Sequence, residues 1–304
     1  MNPTAKRFLS TLRVLHHDNP LGLPHRGEPP MIPRRGLPPR RGIPHVKKVV
    51  AVASVNLAFS LAARERVRVG VLDLDIFGPS IPKLLGLESA GEPHLTSTGA
   101  LIPLTNHGLL TMSIGFLFPN ADAPVTWRGL MVQKAVQQLL FDVDWRGADP
   151  HGPGLDVLVI DMPPGTGDVP LSLGQLVNVH GAVIVSTPQD VALADVRKGI
   201  AAFQRLSIPI IGLVLNQSYF ICPSCSTPHH LFGSSDASKG LGIKLLGELP
   251  LAPGVSSGGD AGLPYALLDS CSKTDGVAGQ QWQEAMLGVT KEVWEVLHPE
   301  YVSS

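Results

Sequence analysis

Short apolar runs recur along this chain, and several of them end in an acidic residue or a glycine-rich turn. The clearest is the stretch LDVLVIDMPPGTGD at 155–168, in which four consecutive aliphatic residues precede Asp161. An apolar run bounded by turn residues is typical of a strand that is buried on both faces, as in a parallel sheet. The prolines and glycines at 163–167 exclude a helix and predict a tight loop. Asp168, just before the next apolar stretch, is predicted to be a helix N-cap.

Strand-like runs alternate with segments of helical periodicity from residue 47 to the end of the chain. This alternation predicts an α/β fold, with a doubly wound, mainly parallel sheet and helices on both faces. The other predicted strands cover 47–54, 67–74, 182–186, 209–215 and 244–248, with a hairpin at 101–116 that turns at 105–108. The predicted helices cover 55–64, 81–87, 127–141, 171–177, 190–206 and 280–297.

The first strand and the first helix follow each other without a loop. The run KKVVAVAS at 47–54 passes directly into VNLAFSLAAR at 55–64. Connections between a strand and a helix usually take about two to six residues. Either the end of the strand or the first helical turn must therefore form the bend.

Polar residues follow several of these strands at their carboxyl ends, where open α/β sheets bind their ligands. Asp73 and Asp75 end the second strand, Asp161 ends the central one, and Asn216 follows the strand at 209–215. The alternation of a strand predicts that Asp73 and Asp75 point to the same side. An acid followed by a glycine loop suits a site for Mg²⁺ and phosphate. The alternative is an ordinary strand-to-helix turn with a capping acid.

Composition narrows the class of protein. Of the 304 residues, 44 % are hydrophobic and 5 % aromatic, which suits helices on a parallel sheet better than a β-sandwich. Three cysteines argue against a secreted domain built on disulfides. The longest apolar stretch, Val49 to Ala63, is too short to span a bilayer and contains Asn56.

Charge is concentrated at the amino terminus. Residues 1–48 hold ten Lys or Arg and two acids, a net charge of +8 that leaves −9 for the rest of the chain. Residues 1–20 are predicted to be a mitochondrial presequence, because their first seventeen residues are basic, acid-free and amphipathic. The alternative is a disordered basic tail. Residues 21–46, rich in Pro and Arg, are predicted to be a linker before a domain at 47–304. No aromatic platform or basic helix face accompanies the arm, so no nucleic-acid partner is expected.

A C-x-x-C pair, Cys222 and Cys225, lies on a loop after a buried strand. Such a pair can hold a metal, exchange disulfides or have no chemistry, and its position away from a helix start favours metal. Two thiolates do not complete a tetrahedral zinc site or a four-thiolate cluster. Cys271 is isolated in the sequence, and His229 and His230 are as easily surface groups as ligands. A two-fold dimer would supply four thiolates, which suits a bridging [4Fe–4S] cluster or zinc.

Six motifs occur in a fixed order along the chain. They are LDLDIFGPSIPKLL at 72–85, WRGLM at 127–131, VIDMPPGTGD at 159–168, VIVSTPQDVALADVRKG at 183–199, NQS at 216–218 and CPSC at 222–225. With them the chain resembles the Mrp/ApbC-type P-loop ATPases, which are iron–sulfur cluster carriers. The basic amino terminus makes it most similar to the mitochondrial nucleotide-binding-protein-like branch, implicated in the assembly of respiratory complex I. The resemblance covers roughly residues 36–300, and it is specific in aggregate although each motif alone is weak.

The resemblance implies a role for each matching residue. Asp75 matches the switch acid that positions attacking water near Mg²⁺, and Asp161 matches the acid that binds Mg²⁺ through water. The loop around Gly165 matches the second switch, and Asn216 the residue that reads the adenine of ATP. Cys222 and Cys225 match the pair that binds a [4Fe–4S] cluster across a homodimer.

The family also implies a location and partners. The location is the mitochondrial matrix, with a peripheral position at the inner membrane left open. The partners are recipient iron–sulfur apoproteins such as subunits of complex I.

One departure from the family pattern is large. The family places a glycine-rich phosphate loop, GKGGVGKST, between the first strand and the first helix, and by the G-x-x-x-x-G-K-[ST] pattern about eleven residues are absent here. The chain would then lack the amide nest, the phosphate lysine and the Mg²⁺-binding hydroxyl. It is either a loop-less variant or a sequence from a gene model clipped between Ser54 and Val55, and the retained nucleotide-site acids favour the second.

Because the sequence lacks the phosphate loop, whether the chain is an enzyme stays open. We expect little or no ATP hydrolysis from the sequence as written. The alternative function is a non-enzymatic cluster or zinc scaffold. A partitioning-type ATPase of the same superfamily is a weaker alternative, because such relatives do not need the CPSC pair.

Overall fold

The computed structural model describes residues 39–52, 54–76, 78–117, 129–163, 165, 167–233, 235–268 and 271–301. Residues from Pro39 onwards form one unit. The predicted presequence at 1–20, Trp127 with Arg128, and two positions of the 163–167 loop, Pro164 and Thr166, lie outside the described residues.

Within the described residues, eight strands form one sheet and two more form a separate hairpin. The order in the large sheet is β10-β7-β6-β1-β5-β2-β4-β3, and all neighbours are parallel except β3 and β4. The strands are β1 Val46–Ala51, β2 Val69–Asp73, β3 Leu104–Asn106, β4 Leu109–Ser113, β5 Leu155–Asp161, β6 Gly181–Ser186, β7 Ile210–Leu215, β8 Phe220–Ile221, β9 Pro228–His229 and β10 Leu245–Glu248. Chain order and sheet order differ, as in a doubly wound fold.

Seven α-helices accompany these strands in the described part of the chain. They are α1 Val55–Glu65, α2 Ile81–Leu84, α3 Gly129–Phe141, α4 Asp168–Leu176, α5 Asp190–Arg205, α6 Pro253–Asp260 and α7 Cys271–Leu297, which is kinked at Gly276. None of the helices in the described part of the chain is long and apolar enough to cross a membrane.

The residues of β7 show that helices cover both faces of the sheet. Leu213 and Leu215 belong to an apolar cluster with Leu193 and Ile200 of α5. Val214, between them, lines a small cavity with side chains of α7 instead. Successive residues of a strand point to opposite faces, so α5 and α7 lie on opposite sides. The predicted doubly wound, mainly parallel α/β architecture is confirmed.

The connection between β1 and α1 is as short as the sequence predicts. The strand ends at Ala51 and the helix begins at Val55, so the end of the predicted strand forms the bend. Ser54 has an extended backbone and caps α1, since its Oγ accepts a hydrogen bond from the Leu57 amide at 3.4 Å.

The prediction that Asp168 caps α4 is wrong. Gly167 occupies the N-cap position with an extended backbone, and Asp168 is the first residue of the helix. A carboxylate in the first turn still stabilises the helix through its dipole. The two positions are one residue apart, and sequence patterns do not resolve helix ends to that precision.

The end of the predicted linker at 21–46 packs on the domain. The Arg41 amide donates to Leu176 O at 3.0 Å, and the Arg41 carbonyl accepts from the Asn178 amide at 3.1 Å. The Arg41 guanidinium lies 3.6 Å from the ring centroid of Phe141. Ile43 is buried in the core. Residues 39–45 therefore form a strap along α3 and the end of α4, and Val46 already belongs to β1.

Candidate functional site

A cavity of about 450 Å³ lies at the carboxyl ends of β1, β5 and β6. Its polar lining includes Ser54, Asp75 and Asp161, with Gly165 at its edge. Its remaining walls are largely apolar and come from β6 and α5, including Val185, Val196 and Phe203. This is the edge of a parallel sheet at which doubly wound folds bind ligands.

Asp73 and Asp161 lie side by side in this region. The two residues are paired in the register of β2 and β5. Burial, together with the negative charges of Asp73 and Asp75, raises the pKa of Asp161 to about 7. Burial also raises the pKa of Asp73 to about 6, against the lowering effect of its hydrogen bonds. Negative charge on these carboxylates is therefore costly, and a cation bound beside them would stabilise it.

Asp73 organises the loop that carries Asp75. Its carboxylate accepts hydrogen bonds from the Asp75 amide at 2.9 Å, the Ser113 hydroxyl at 2.9 Å and the Ile81 amide at 3.4 Å. Asp73 is fully buried, whereas Asp75 lines the cavity. β2 ends at Asp73, so strand alternation does not extend to Asp75, and the common side of the two acids stays a prediction.

The described lining of the cavity has no basic side chain to balance the charge of a triphosphate. None of its described lining residues is Lys, Arg or His. The sequence contains no lysine or glycine between Lys48 and Arg64. The Ser54 side chain is engaged in capping α1. This part of the chain does not fit a phosphate site of the P-loop type, which needs an amide nest and a lysine.

Asn216 lies beside the main cavity. It lines a neighbouring cavity of about 70 Å³ that shares Val52, Ser54 and Val185 with the larger one. The Asn216 amide donates to Ser186 O at 2.7 Å, and its Oδ1 accepts from the Gln217 amide at 3.0 Å. The structure thus brings Asp75, Asp161, Gly165 and Asn216 to one edge of the sheet.

The two cysteines lie at the tip of the β8–β9 hairpin, outside both cavities. The Cys222 amide donates to Thr227 O at 3.0 Å, and the Ser226 amide donates to Cys222 O at 2.8 Å. Cys225 Sγ is 3.2 Å from the hydroxyl of Thr227. This hydroxyl, the Thr227 amide and the Cys222 thiol lower the pKa of Cys225. Both thiols are free, and Cys225 is exposed.

The hairpin holds two ligands in a single chain. Among the described side chains, no group of three or more His, Cys, Asp or Glu is arranged to hold a metal ion. His229 and His230 are exposed, and the Cys271 side chain lies outside the described ones. The described residues thus supply two of the four ligands of a tetrahedral thiolate site.

A family model of ParA-type proteins, described as NUBPL iron-transfer P-loop NTPase, matches residues 48–286. The chain belongs to this family. The match spans both the sheet edge with Asp75 and Asp161 and the cysteine hairpin, and it confirms the resemblance seen in the sequence motifs.

Curated relatives agree with this assignment. The chain is 45 % identical over 245 residues to the iron-sulfur cluster transfer protein NUBPL of Mus musculus, covering 76 % of this chain and 74 % of the mouse protein. It is 39 % identical over 265 residues to an iron-sulfur protein required for NADH dehydrogenase, mitochondrial, of Arabidopsis thaliana, covering 83 % and 80 %. The iron-sulfur cluster carrier protein of Escherichia coli K12 is 43 % identical over 240 residues, covering 74 % and 62 %.

Solved structures show the same fold. A nucleotide-binding protein from Archaeoglobus fulgidus in complex with ADP is 33 % identical, with a TM-score of 0.58 over 72 % of this chain and 87 % of that one. The cell division ATPase MinD of Pyrococcus furiosus matches with a TM-score of 0.53 at 16 % identity, covering 82 % and 99 %, which shows the fold alone.

Two structural features beside the candidate site residues of this NUBPL-family chain were not evident in the sequence. One is the buried position of Asp73 beneath the Asp75 loop. The other is Thr227, whose carbonyl and hydroxyl contact both cysteines. Strand alternation predicts the side to which Asp73 and Asp75 point, but it carries no information on the loop that follows β2. Thr227 lies outside the C-x-x-C pattern, so that pattern does not indicate it.

Proposed function

We propose that this chain binds an iron–sulfur cluster and transfers it to mitochondrial apoproteins, with subunits of respiratory complex I among the recipients. The observation that carries the proposal is the exposed Cys222–Cys225 hairpin in a member of the NUBPL family. Relatives named for cluster transfer and for NADH dehydrogenase support both the cargo and the recipient.

The cargo is a [4Fe–4S] cluster held between two copies of the chain. Such a cluster is bound by four cysteine thiolates, and each hairpin supplies two. An exposed tip lets a recipient's thiolates approach the iron atoms and replace the carrier's thiolates one at a time. The bonds that break are iron–Sγ bonds to Cys222 and Cys225, and equivalent bonds form to the recipient.

The residues present do not fit ATP as an active cofactor. By the family resemblance, Asp75, Asp161 and Gly165 would serve the Mg²⁺ and phosphate site and Asn216 the adenine, and all four line two adjoining cavities. The sequence between β1 and α1, however, supplies no lysine and no glycine for a phosphate loop. We infer that the chain as written hydrolyses little or no ATP. The second candidate function, a cluster or zinc scaffold without nucleotide chemistry, is favoured by this same connection.

The test of the proposed function compares Cys222→Ser with Cys271→Ser. Each protein is reconstituted without oxygen with ferrous iron and sulfide, and iron and sulfide are measured per chain. We expect about two irons per chain for the parent and for Cys271→Ser, since one [4Fe–4S] cluster is shared by two chains. Cys222→Ser should lose the visible absorption of the cluster. Equal iron content in all three proteins would contradict the proposal, and zinc in place of iron after purification would favour the scaffold.

Location is tested separately. We propose that residues 1–20 direct the chain to the mitochondrial matrix, in keeping with the mitochondrial relative. Import of the full chain into isolated mitochondria, followed by protease protection with and without the inner membrane opened, distinguishes matrix from outer compartments. Unchanged import after removal of residues 1–20 would reject the presequence.

The short β1–α1 connection has its own test, the sequence of the transcript across the codons for Ser54 and Val55. A direct junction makes the loop-less protein the natural one. An in-frame glycine- and lysine-rich segment at this point makes the natural protein an ATPase of the family type.

A further inference from the structure

The hydroxyl of Thr227 lies against one of the two cysteine sulfurs. Cys225 Sγ donates a hydrogen bond to Thr227 Oγ1 at 3.2 Å, and the Thr227 amide donates to the same sulfur. The carbonyl of Thr227 accepts from the Cys222 amide at 3.0 Å, which fixes Thr227 beside both cysteines. The backbone of the hairpin thus holds the hydroxyl next to the Cys225 sulfur.

The two cysteines are held in different ways. Cys222 is half-buried, and its amide and carbonyl are bonded to Thr227 O and to the Ser226 amide. Cys225 is exposed, and its sulfur rather than its backbone carries the contacts with Thr227. The two sulfurs are therefore not equivalent as ligands.

The direction of the hydroxyl contact depends on the state of the sulfur. In the free chain the thiol is the donor. A thiolate bound to iron has no proton and can only accept, whereas a threonine hydroxyl rotates and donates as readily as it accepts. Hydrogen bonds to a charged acceptor are stronger than those between neutral groups. The hydroxyl would therefore draw electron density from the bound sulfur and stabilise it as a leaving thiolate.

Side-chain charges from the same segment are scarce around this contact. No Asp, Glu, Lys or Arg occurs between Leu206 and Ser235. Apart from His229 and His230, hydrogen bonds rather than charged side chains of the segment set the electrostatic surroundings of the sulfur. Hydrogen bonds to cluster sulfurs are among the factors that set the reduction potential of iron–sulfur clusters.

We propose that Thr227 is a positioning residue whose hydroxyl eases release of the cargo from Cys225. The inference rests on the proposed function, because it requires iron on Cys222 and Cys225. In the release step the iron–Sγ bond of Cys225 breaks, and its electron pair stays on the sulfur, where the hydroxyl stabilises it. A thiolate of the recipient donates its own pair to the same iron, so no electron is gained or lost. A proton from water then restores the thiol.

The experiment compares Thr227→Val with Thr227→Ser, which keeps the hydroxyl. Ser224→Ala is the matched control, because it removes an exposed hydroxyl from the turn between the cysteines. Each protein is reconstituted with ferrous iron and sulfide. The reduction potential is measured by redox titration, and ligand exchange is measured as the rate at which excess benzenethiol removes the cluster.

We expect Thr227→Val to exchange about three- to tenfold more slowly than the parent, because its sulfur loses the hydroxyl donor and keeps the amide. Reduction should become less favourable by a similar factor, which is about 30–60 mV for one electron. Thr227→Ser and Ser224→Ala should stay within about twofold of the parent in both measurements.

Other outcomes separate this inference from the proposed function. Unchanged exchange and potential in Thr227→Val overturn the role of Thr227 while leaving the cysteine site intact. Equal effects of Thr227→Val and Thr227→Ser also overturn it, since the hydroxyl would then not be the cause. Iron content that does not depend on Cys222 rejects the proposed function itself. If Thr227→Val takes up no cluster, Thr227→Ala compared with Thr227→Ser tests the hydroxyl with a smaller side chain.

Discussion

Asp73 and Asp161 are register partners at the carboxyl ends of two neighbouring parallel strands, and Asp73 is fully buried whereas Asp161 lines the cavity. Two neighbouring acids in a buried place cannot both be charged without cost, and the negative charge of Asp73 raises the pKa of Asp161. Burial adds to this effect and is the larger cause for both groups. The pair therefore destabilises the folded chain at neutral pH unless a cation or proton occupies the site, and this cost can be measured.

Replacing Asp161 by asparagine should stabilise the protein above pH 7. The pKa of Asp161 is about 7 when folded, against an ordinary value of 3.8, so the folded state binds more protons than the unfolded state between these values. Stability consequently falls as the pH rises through this window. Asp161→Asn removes the titrating group, and we expect a gain of about 1–3 kcal/mol at pH 8 and little change at pH 4, since one pKa unit corresponds to about 1.4 kcal/mol.

Urea unfolding at a series of pH values checks this expectation. Glu88→Gln, which removes an exposed acid elsewhere, is the control and should leave the pH profile as it is. A profile of Asp161→Asn that runs parallel to that of the parent would show that Asp161 titrates normally.

Ile43 tests whether residues 39–45 belong to the domain. The side chain is 3 % exposed and lies in the main core cluster. Ile43→Ala should lower the free energy of unfolding by about 2–4 kcal/mol, and Ile43→Val by about 0.5–1.5 kcal/mol, because the loss grows with the cavity that is left. Equal stabilities of the three proteins would mean that the strap does not contribute to the fold.

Gly154 packs against His45 at the end of the strap. Its φ is +75°, and a Cβ there would lie 2.3 Å from His45 O. Gly154→Ala should therefore destabilise the protein by about 2–4 kcal/mol, since it adds a backbone clash to an unfavourable dihedral angle. Gly91→Ala is the matched control, because Gly91 has a φ of +79° and open space around it. Gly91→Ala should lower the free energy of unfolding by about 1 kcal/mol, which is the cost of the dihedral angle alone. A similar loss in both variants would contradict a clash at Gly154.

The sequence could predict the sheet because its central strands are buried on both faces and therefore form continuous aliphatic runs. β5, β6 and β7 were predicted to within about one or two residues of their ends, and so was the turn of the β3–β4 hairpin. The same patterns placed Asp161 and Asn216 at strand ends, where the structure brings them to adjoining cavities.

The remaining features depend on contacts between distant parts of the chain. A proline- and arginine-rich segment has the composition of a linker, and only the presence of Phe141 and Leu176 beside it turns 39–45 into a strap. The burial of Asp73 likewise depends on Ser113, forty residues away in sequence. Neither contact leaves a local pattern that periodicity or motif spacing detects.

The last prediction concerns the connection between β1 and α1. Inserting a glycine-rich phosphate loop of about eleven residues between Ser54 and Val55 should create nucleotide binding, because it adds the lysine and the amide nest at the helix N-terminus that the site lacks. The insertion point lines the 450 Å³ cavity, beside Asp75 and Asp161, and Ser54 would no longer cap α1.

Mg²⁺-dependent binding of ATP is measured by calorimetry, and turnover by phosphate release. We expect neither for the parent chain, binding for the insertion variant, and a loss of binding when the lysine of the inserted loop is replaced by alanine. Asp75→Ala in the insertion variant should keep binding and abolish hydrolysis, since Asp75 would orient the attacking water rather than hold the phosphates. ATP turnover by the parent chain, removed by Asp75→Ala, would show instead that the short connection already supports a complete ATPase.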